Sequence, residues 1–195
     1  MTVTILITNL LDGAMGAVIT PAYVQHFFYS PIPQGILMGV FGGMAFLGTL
    51  IYGAIGHRLP RRTTLGASFT IVSMRIIGMA LLPALPFLIF IHALTGLACG
   101  PLNPLLSAMS YERVPKELRA RVFGTSTAGV LVGIPAGVML CGYLVTWIGL
   151  IPSVFTMGAI YLLTTLSLLI NPALKGMEKA PQEQSKSPSQ ASPAT

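Results

Sequence analysis

Gly53-Ala54-Ile55-Gly56-His57-Arg58-Leu59-Pro60-Arg61-Arg62 gathers four cationic or potentially cationic side chains into one short turn between two apolar segments. On a water-soluble domain such a turn would be ordinary. In this chain it is the tightest charge cluster in a sequence that otherwise avoids charge. The side of a membrane it faces therefore fixes the placement of everything around it.

The chain has 195 residues, of which 53% are hydrophobic and 8% charged, and its mean hydropathy is +0.78. Soluble domains carry about 25% charged residues. So few charges cannot cover a globular surface in water, so lipid is the solvent for most of the chain. The net charge of +6 does not indicate nucleic-acid binding, because the cations sit at the ends of apolar runs and not on one solvated face. Cys99 and Cys141 both fall inside apolar runs and read as small buried hydrophobes. Met1 leads almost directly into an apolar segment without a basic leader, which predicts a first membrane helix in place of a cleaved signal.

Six apolar spans are predicted, near residues 3–28, 35–56, 64–82, 87–109, 116–145 and 150–170. The prolines of Ser30-Pro31-Ile32-Pro33, Pro83-Ala84-Leu85-Pro86 and Asn171-Pro172 mark breaks between or after them. Together they form an all-α integral membrane bundle over 1–171. Residues 172–195 are rich in Pro, Ser, Gln and Lys and read as a disordered cytoplasmic tail. Arg58, Arg61 and Arg62 lie in one connection, Arg113, Lys116, Arg119 and Arg121 in another, and Lys175, Lys179 and Lys186 after the last span. The connections near 29–34, 83–86 and 146–150 hold no Lys or Arg, so ten of the eleven cations fall on one side. The positive-inside rule makes that side, and both termini, cytoplasmic.

Charged residues within spans are costly, about 2.5–3.5 kcal/mol at a helix centre on insertion scales, and so mark function by default. Asp12 and Arg75 are such residues, at similar depths roughly 13 Å into their spans at about 1.5 Å per residue. They form a structural pair, or Asp12 belongs to the polar lining of a pathway, or neither has a special role. His92 and His26 read as peripheral, His92 near the outer surface. Asn103, between Pro101 and Pro104, lines a cavity or satisfies carbonyls freed by the prolines. Glycines at 35, 39, 42, 43 and 48, including Gly39-x-x-x-Gly43, predict close helix approach. So do Gly129, Gly133 and Gly137, where Pro135 adds a bend that serves as packing or as a helix pivot.

No pattern for a metal, nucleotide or redox enzyme is present. A rhomboid-type serine protease is disfavoured as well. Ser126 stands in Gly124-Thr125-Ser126-Thr127 without the following glycine, and all three histidines precede it.

Gly53-x-x-x-His57-Arg58-x-x-Arg61-Arg62 resembles the loop motif between the second and third helices of each half of a major facilitator superfamily transporter. The run Tyr111-Glu112-Arg113-Val114-Pro115-Lys116-Glu117-Leu118-Arg119-Ala120-Arg121-Val122-Phe123-Gly124 is similar to the loop between the fourth and fifth helices in the drug- and siderophore-exporter-like branch. Gly100-Pro101-Leu102-Asn103-Pro104-Leu105 is similar to the fourth-helix pattern of that branch's C-terminal half. The family's loop aspartate is His57 here. Full members contain two six-helix halves around a central cavity, so the chain resembles a C-terminal half alone, built of two inverted three-helix repeats. It would need an N-terminal half or a second copy to work. The resemblance implies efflux of small amphipathic substrates by alternating access, with possible proton coupling and no cofactor, in the plasma membrane. It implies that Asp12, Asn9 and Asn103 line the cavity and that the two basic loops act as cytoplasmic gate contacts. Arg58, Arg61 and Arg62 are expected to complement the C-terminal end of span two. Glu117 is expected to pair with Arg121 one turn on, with Pro115 in the first turn of span five. The alternative is a non-transporting membrane fragment or a structural partner subunit of a split transporter.

Overall fold

The computed structural model describes residues 2–170. The expected tail over 172–195 lies outside that range. The described residues form only helices: α1 (Thr2–Ala14), a π turn (Met15–Ile19), α2 (Thr20–Phe28), α3 (Ile32–Ile55), α4 (Arg61–Leu81), α5 (Leu85–Cys99), α6 (Leu102–Arg113), α7 (Arg119–Ile148) and α8 (Leu150–Ile170). Short 3-10 turns at Gly56–Arg58 and Lys116–Leu118 sit in the two basic connections. Five segments are long and apolar enough to cross a bilayer: Ile32–Ile55, Arg61–Leu81, Leu85–Glu112, Lys116–Ile148 and Leu150–Ser167.

Prolines set most of the interruptions. Pro21 has no N–H for the carbonyl four residues back, and its ring crowds that turn. The chain widens into a π turn just before it, where the Thr20 hydroxyl donates to the Met15 carbonyl at 2.8 Å. Pro101 likewise splits the expected fourth span into α5 and α6, and the helix resumes when the Leu105 N–H reaches the Pro101 carbonyl at 3.1 Å. Tyr29 takes a left-handed conformation, φ 52°, and closes α2. Gly149, φ 86°, makes the turn into α8, a backbone shape that glycine adopts without strain. Pro135 does not end α7, which runs 30 residues through it. That is about 45 Å at about 1.5 Å per residue, well beyond the roughly 30 Å of a hydrocarbon core.

Three seams hold the bundle: α1 on α7, α3 on α5, and α4 on α8. The buried core draws on all of them, with Leu11, Ala14, Met15, Ile76, Met79 and Tyr161 among its members. Buried hydroxyls at the seams bond their own preceding turn, as Ser73 does to the Phe69 carbonyl (2.9 Å) and Thr165 to the Tyr161 carbonyl (2.9 Å). Self-satisfaction of this kind lets serine and threonine be buried where no water is available.

Glycine packing differs from the sequence expectation in its address. Gly35, Gly39, Gly42 and Gly43 have open space where a Cβ would stand. Of the expected set Gly48 does pack closely, against the Leu97 backbone, and the α3–α5 crossing adds Gly96 against the Phe41 carbonyl and Gly100 against the Gly48–Thr49 peptide. Gly96-x-x-x-Gly100 is thus the small-residue motif at work, on the opposite helix from the one expected. On α7, Gly137 lies against Leu10 and Gly129 against Leu6, whereas Gly133 meets nothing within 4 Å.

Candidate functional site

The two basic connections meet. Arg61 Nη1, on the first residue of α4, lies 2.6 Å from Glu112 Oε2 near the end of α6. Each charge sits at the unfavourable end of its own helix, since the N-terminus is the positive pole and the C-terminus the negative. The pair offsets both mismatches. Arg61 and Arg62 were expected to complement the C-terminal end of span two; α3 ends at Ile55, and both arginines instead open α4, beyond the intervening 3-10 turn.

Arg119 closes the other loop. Its Nη2 donates to the Tyr111 carbonyl at 2.9 Å and its Nε to the Val114 carbonyl at 3.1 Å, capping the last turn of α6. The guanidinium also lies over the Tyr111 ring, 5.4 Å from its centroid, and that ring meets Phe123 edge-on at 4.8 Å. Pro115 precedes the 3-10 turn and does not enter α7. Glu117 falls in that turn, before the helix begins at Arg119, so the one-turn spacing to Arg121 is not helical and the two form no ion pair among the described residues. Gly53 and Arg58 are exposed, and Arg62 is half-buried. The side chains of His57 and Arg113 lie outside the described residues.

Beside this end lies a groove of about 540 Å³ between the first helix and α6 and α7. Asn9 and Asn103 both line it, with Ser107, Ser110, Ser126 and Thr127. The two asparagines singled out from sequence therefore share one groove. Asp12 does not belong to that lining. One carbonyl freed by a proline finds a donor elsewhere: Pro104 leaves the Gly100 carbonyl without its helical donor, and Thr49 Oγ1 of α3 approaches it at 3.1 Å. Asn103 is not needed for that purpose.

Asp12 lies deeper, on the seam between α1 and α8. Tyr161 Oη donates to its Oδ2 at 3.3 Å. Arg75 on α4 is near enough for its charge to act on Asp12, yet the two make no ion-pair contact among the described residues. The guanidinium instead lies over the Phe41 ring of α3, 5.6 Å from the centroid, and its buried Nε has no hydrogen-bond partner among the described residues. A direct Asp12–Arg75 pair is thus not formed. His92 is corrected as well. It is 2% exposed, and its Nδ1 is 2.7 Å from the Leu88 carbonyl. A neutral ring that gives its N–H to a carbonyl one turn back can be buried, whereas a position near the membrane surface was expected. His26 is exposed, as expected of a peripheral residue.

Tyr161, Phe41 and Thr49 were not foreseen. For Thr49 a signal existed: Pro104 announces an orphan carbonyl at Gly100, and some hydroxyl on a neighbouring helix must answer it. For Tyr161 and Phe41 only the packing of helices from distant parts of the chain supplies the partner.

The family described as the Major Facilitator Superfamily matches residues 1–194. The multidrug efflux pump Tap of Mycobacterium tuberculosis is 29% identical over 168 residues, covering 86% of this chain and 40% of the relative. Its counterpart in Mycolicibacterium fortuitum is 27% identical over 146 residues, covering 74% and 35%. The multi-drug resistance efflux pump PmrA of Streptococcus pneumoniae is 25% identical over 173 residues, covering 83% and 42%. The chain thus spans well under half the length of the curated relatives it matches.

Proposed function

Because the chain belongs to the Major Facilitator Superfamily, we propose that it forms one six-helix wall of a membrane transporter that expels small amphipathic molecules by alternating access. The first span is the interrupted segment α1–α2, which joins the five apolar segments to make six. The repeat reading draws support from the seams. Exchange of the first three spans with the last three turns the α1–α7 seam into the α3–α5 seam and leaves α4–α8 unchanged. Two inverted three-helix repeats pack in that way.

One observation carries the transport reading: Asn9 and Asn103, on the first and fourth spans, line a single groove whose mostly apolar wall also carries Ser107, Ser110, Ser126 and Thr127. Asn9 and Asn103 then belong to the cavity wall, and Asp12, outside that groove and bonded to Tyr161 of α8, is the intramembrane carboxylate for proton coupling, with no cofactor involved. Arg75 is the intramembrane cation that balances it. The Gly53–Arg62 and Glu112–Arg121 loops form the cytoplasmic gate, so both termini are cytoplasmic and the bilayer is the plasma membrane. Gly133, Pro135 and Gly137 form the pivot in α7. A wall alone encloses no cavity, so activity requires an N-terminal half or a second copy.

The test is flux. The full chain is reconstituted in proteoliposomes under an imposed proton gradient, alone and together with a six-helix N-terminal half taken from a full-length relative. Efflux of a fluorescent amphipathic cation above empty-liposome leakage is expected in the paired sample and is expected to fall at least tenfold in Asn103→Ala. No flux in either sample would overturn transport and leave the non-transporting partner subunit.

A further inference from the structure

The carboxylate of Asp12 sits on a stretch of backbone packed closely against α7. Two residues before it, Leu10 lies against Gly137; one residue after it, Gly13 lies against Ile134, where an added Cβ would stand 2.9 Å from the isoleucine side chain. Both contacts belong to the α1–α7 seam, and they bracket Asp12 on one helical turn. What remains free is the side chain itself, which is exposed on the isolated chain.

Tyr161 is in the opposite condition. It is 1% exposed, on α8, so its hydroxyl cannot turn to solvent and needs an acceptor inside the bundle. Its ring is boxed in by the core, and its backbone carbonyl is engaged by Thr165, whose hydroxyl lies 3.4 Å from that of Ser73 on α4. The acceptor it finds is Asp12 Oδ2, 149 positions away in the chain. A buried donor thus meets an exposed acceptor.

The other groups around Asp12 do not hold it. Arg75 of α4 acts at a distance and rests over Phe41. His92 of α5 gives its Nδ1 to Leu88, and Cys99 of α5 is a free thiol. On α7, Cys141 is a buried free thiol and the contacts beside Asp12 come from Ile134 and Gly137.

We propose that Tyr161 is the positioning residue for Asp12: its buried hydroxyl fixes the carboxyl group at the α1–α8 seam and keeps it from closing onto Arg75. The inference rests on the reading of Asp12 as a functional carboxylate, and it assigns that carboxylate a partner on the last helix of the bundle. The partner is a neutral hydroxyl and not a cation. Asp12 can therefore gain or lose a proton without breaking an ion pair, and Arg75 stays available as a separate charge.

Infrared spectroscopy of the full chain in lipid tests this without requiring transport. The spectrum of the unaltered chain minus that of Asp12→Asn isolates the Asp12 carboxyl bands, whether protonated or ionised. Tyr161→Phe removes one oxygen and keeps the ring that fills the core. The expected result is a displaced Asp12 band in Tyr161→Phe, to higher frequency for the carbonyl stretch, with helix content unchanged by circular dichroism. In Arg75→Gln the band is expected to stay nearer its original position than in Tyr161→Phe. An Asp12 band at the same frequency in Tyr161→Phe overturns the assignment, as does a larger displacement in Arg75→Gln. A proton role for Asp12 is judged separately: pH-dependent flux that persists in Asp12→Asn removes that role and leaves the spectroscopic result standing.

Discussion

Arg61 and Glu112 stand 51 positions apart in the chain and 2.6 Å apart in space, and their contact ties the start of α4 to the end of α6. Their side chains are 37% and 40% exposed, so the bond itself contributes little to stability, about 0–1 kcal/mol for a solvent-accessible pair. A double-mutant cycle with Arg61→Ala and Glu112→Ala is expected to give a coupling within that range by thermal unfolding in detergent, and a smaller one at high salt because exposed charges are screened. A salt-insensitive coupling well above it would mean that the pair is desolvated in the assembled protein. The charge-reversed double variant, with Arg61→Glu and Glu112→Arg, is expected to restore the contact and also to place each charge at the favourable end of its helix dipole.

The Gly100 carbonyl makes a second test. Pro104 denies it a helical donor, and the Thr49 hydroxyl of α3 shares its one proton between the Ala45 carbonyl at 2.9 Å and the Gly100 carbonyl at 3.1 Å. Thr49→Val is expected to cost about 0.6 kcal/mol, the average for interhelical hydrogen bonds in membranes. Pro104→Ala returns an N–H to that carbonyl. In its presence Thr49→Val is expected to cost less, so the two substitutions should be non-additive when their melting temperatures are compared. Strict additivity would show that Thr49 does not serve this carbonyl. Tyr23 performs a similar task at the end of α4, where its hydroxyl donates to the Met79 carbonyl, which Pro83 leaves without a donor.

Glycine substitutions separate packed from open positions. Gly48→Ala, Gly96→Ala and Gly100→Ala each place a Cβ on the backbone of a facing helix. Backbone cannot give way as a side-chain tip can, so each is expected to destabilise by about 1–3 kcal/mol, as overpacking does. Gly39→Ala and Gly133→Ala meet nothing within 4 Å. In the isolated chain they are expected to be neutral or stabilising by up to about 1 kcal/mol, since alanine favours helix over glycine. Thermal unfolding of the five variants side by side checks the ordering.

Arg119 offers a further contrast with Arg121. Arg119 holds the Tyr111 and Val114 carbonyls and covers the Tyr111 ring, while Arg121 is exposed and makes no ion pair among the described residues. Arg119→Ala is expected to loosen the end of α6, read as faster amide exchange over residues 110–114. Arg121→Ala is expected to leave that exchange unchanged. Lysine at 119 is expected to recover only part of the protection, because a single ammonium lacks the planar fork that reaches two carbonyls.

The sequence by itself determined the solvent and the order of the segments. Few charges and long apolar runs leave lipid as the medium, and the prolines and the basic turns mark where each segment stops, because these signals act through nearest neighbours in the chain. Most of the polar positions of interest, Asp12, Asn9, Asn103 and Arg75, were legible as well, since a polar group in an apolar span stands out wherever it points. Their partnerships were not legible. Whether Asp12 meets Arg75 or Tyr161 depends on the rotation of α1 against α4 and α8, and a shift of one residue on a helix turns a side chain by about 100°, given about 3.6 residues per turn. Only the packed bundle fixes that angle. It does so through close contacts such as Leu10 on Gly137 and Leu97 on Gly48, where two backbones meet at a distance that no other residue permits.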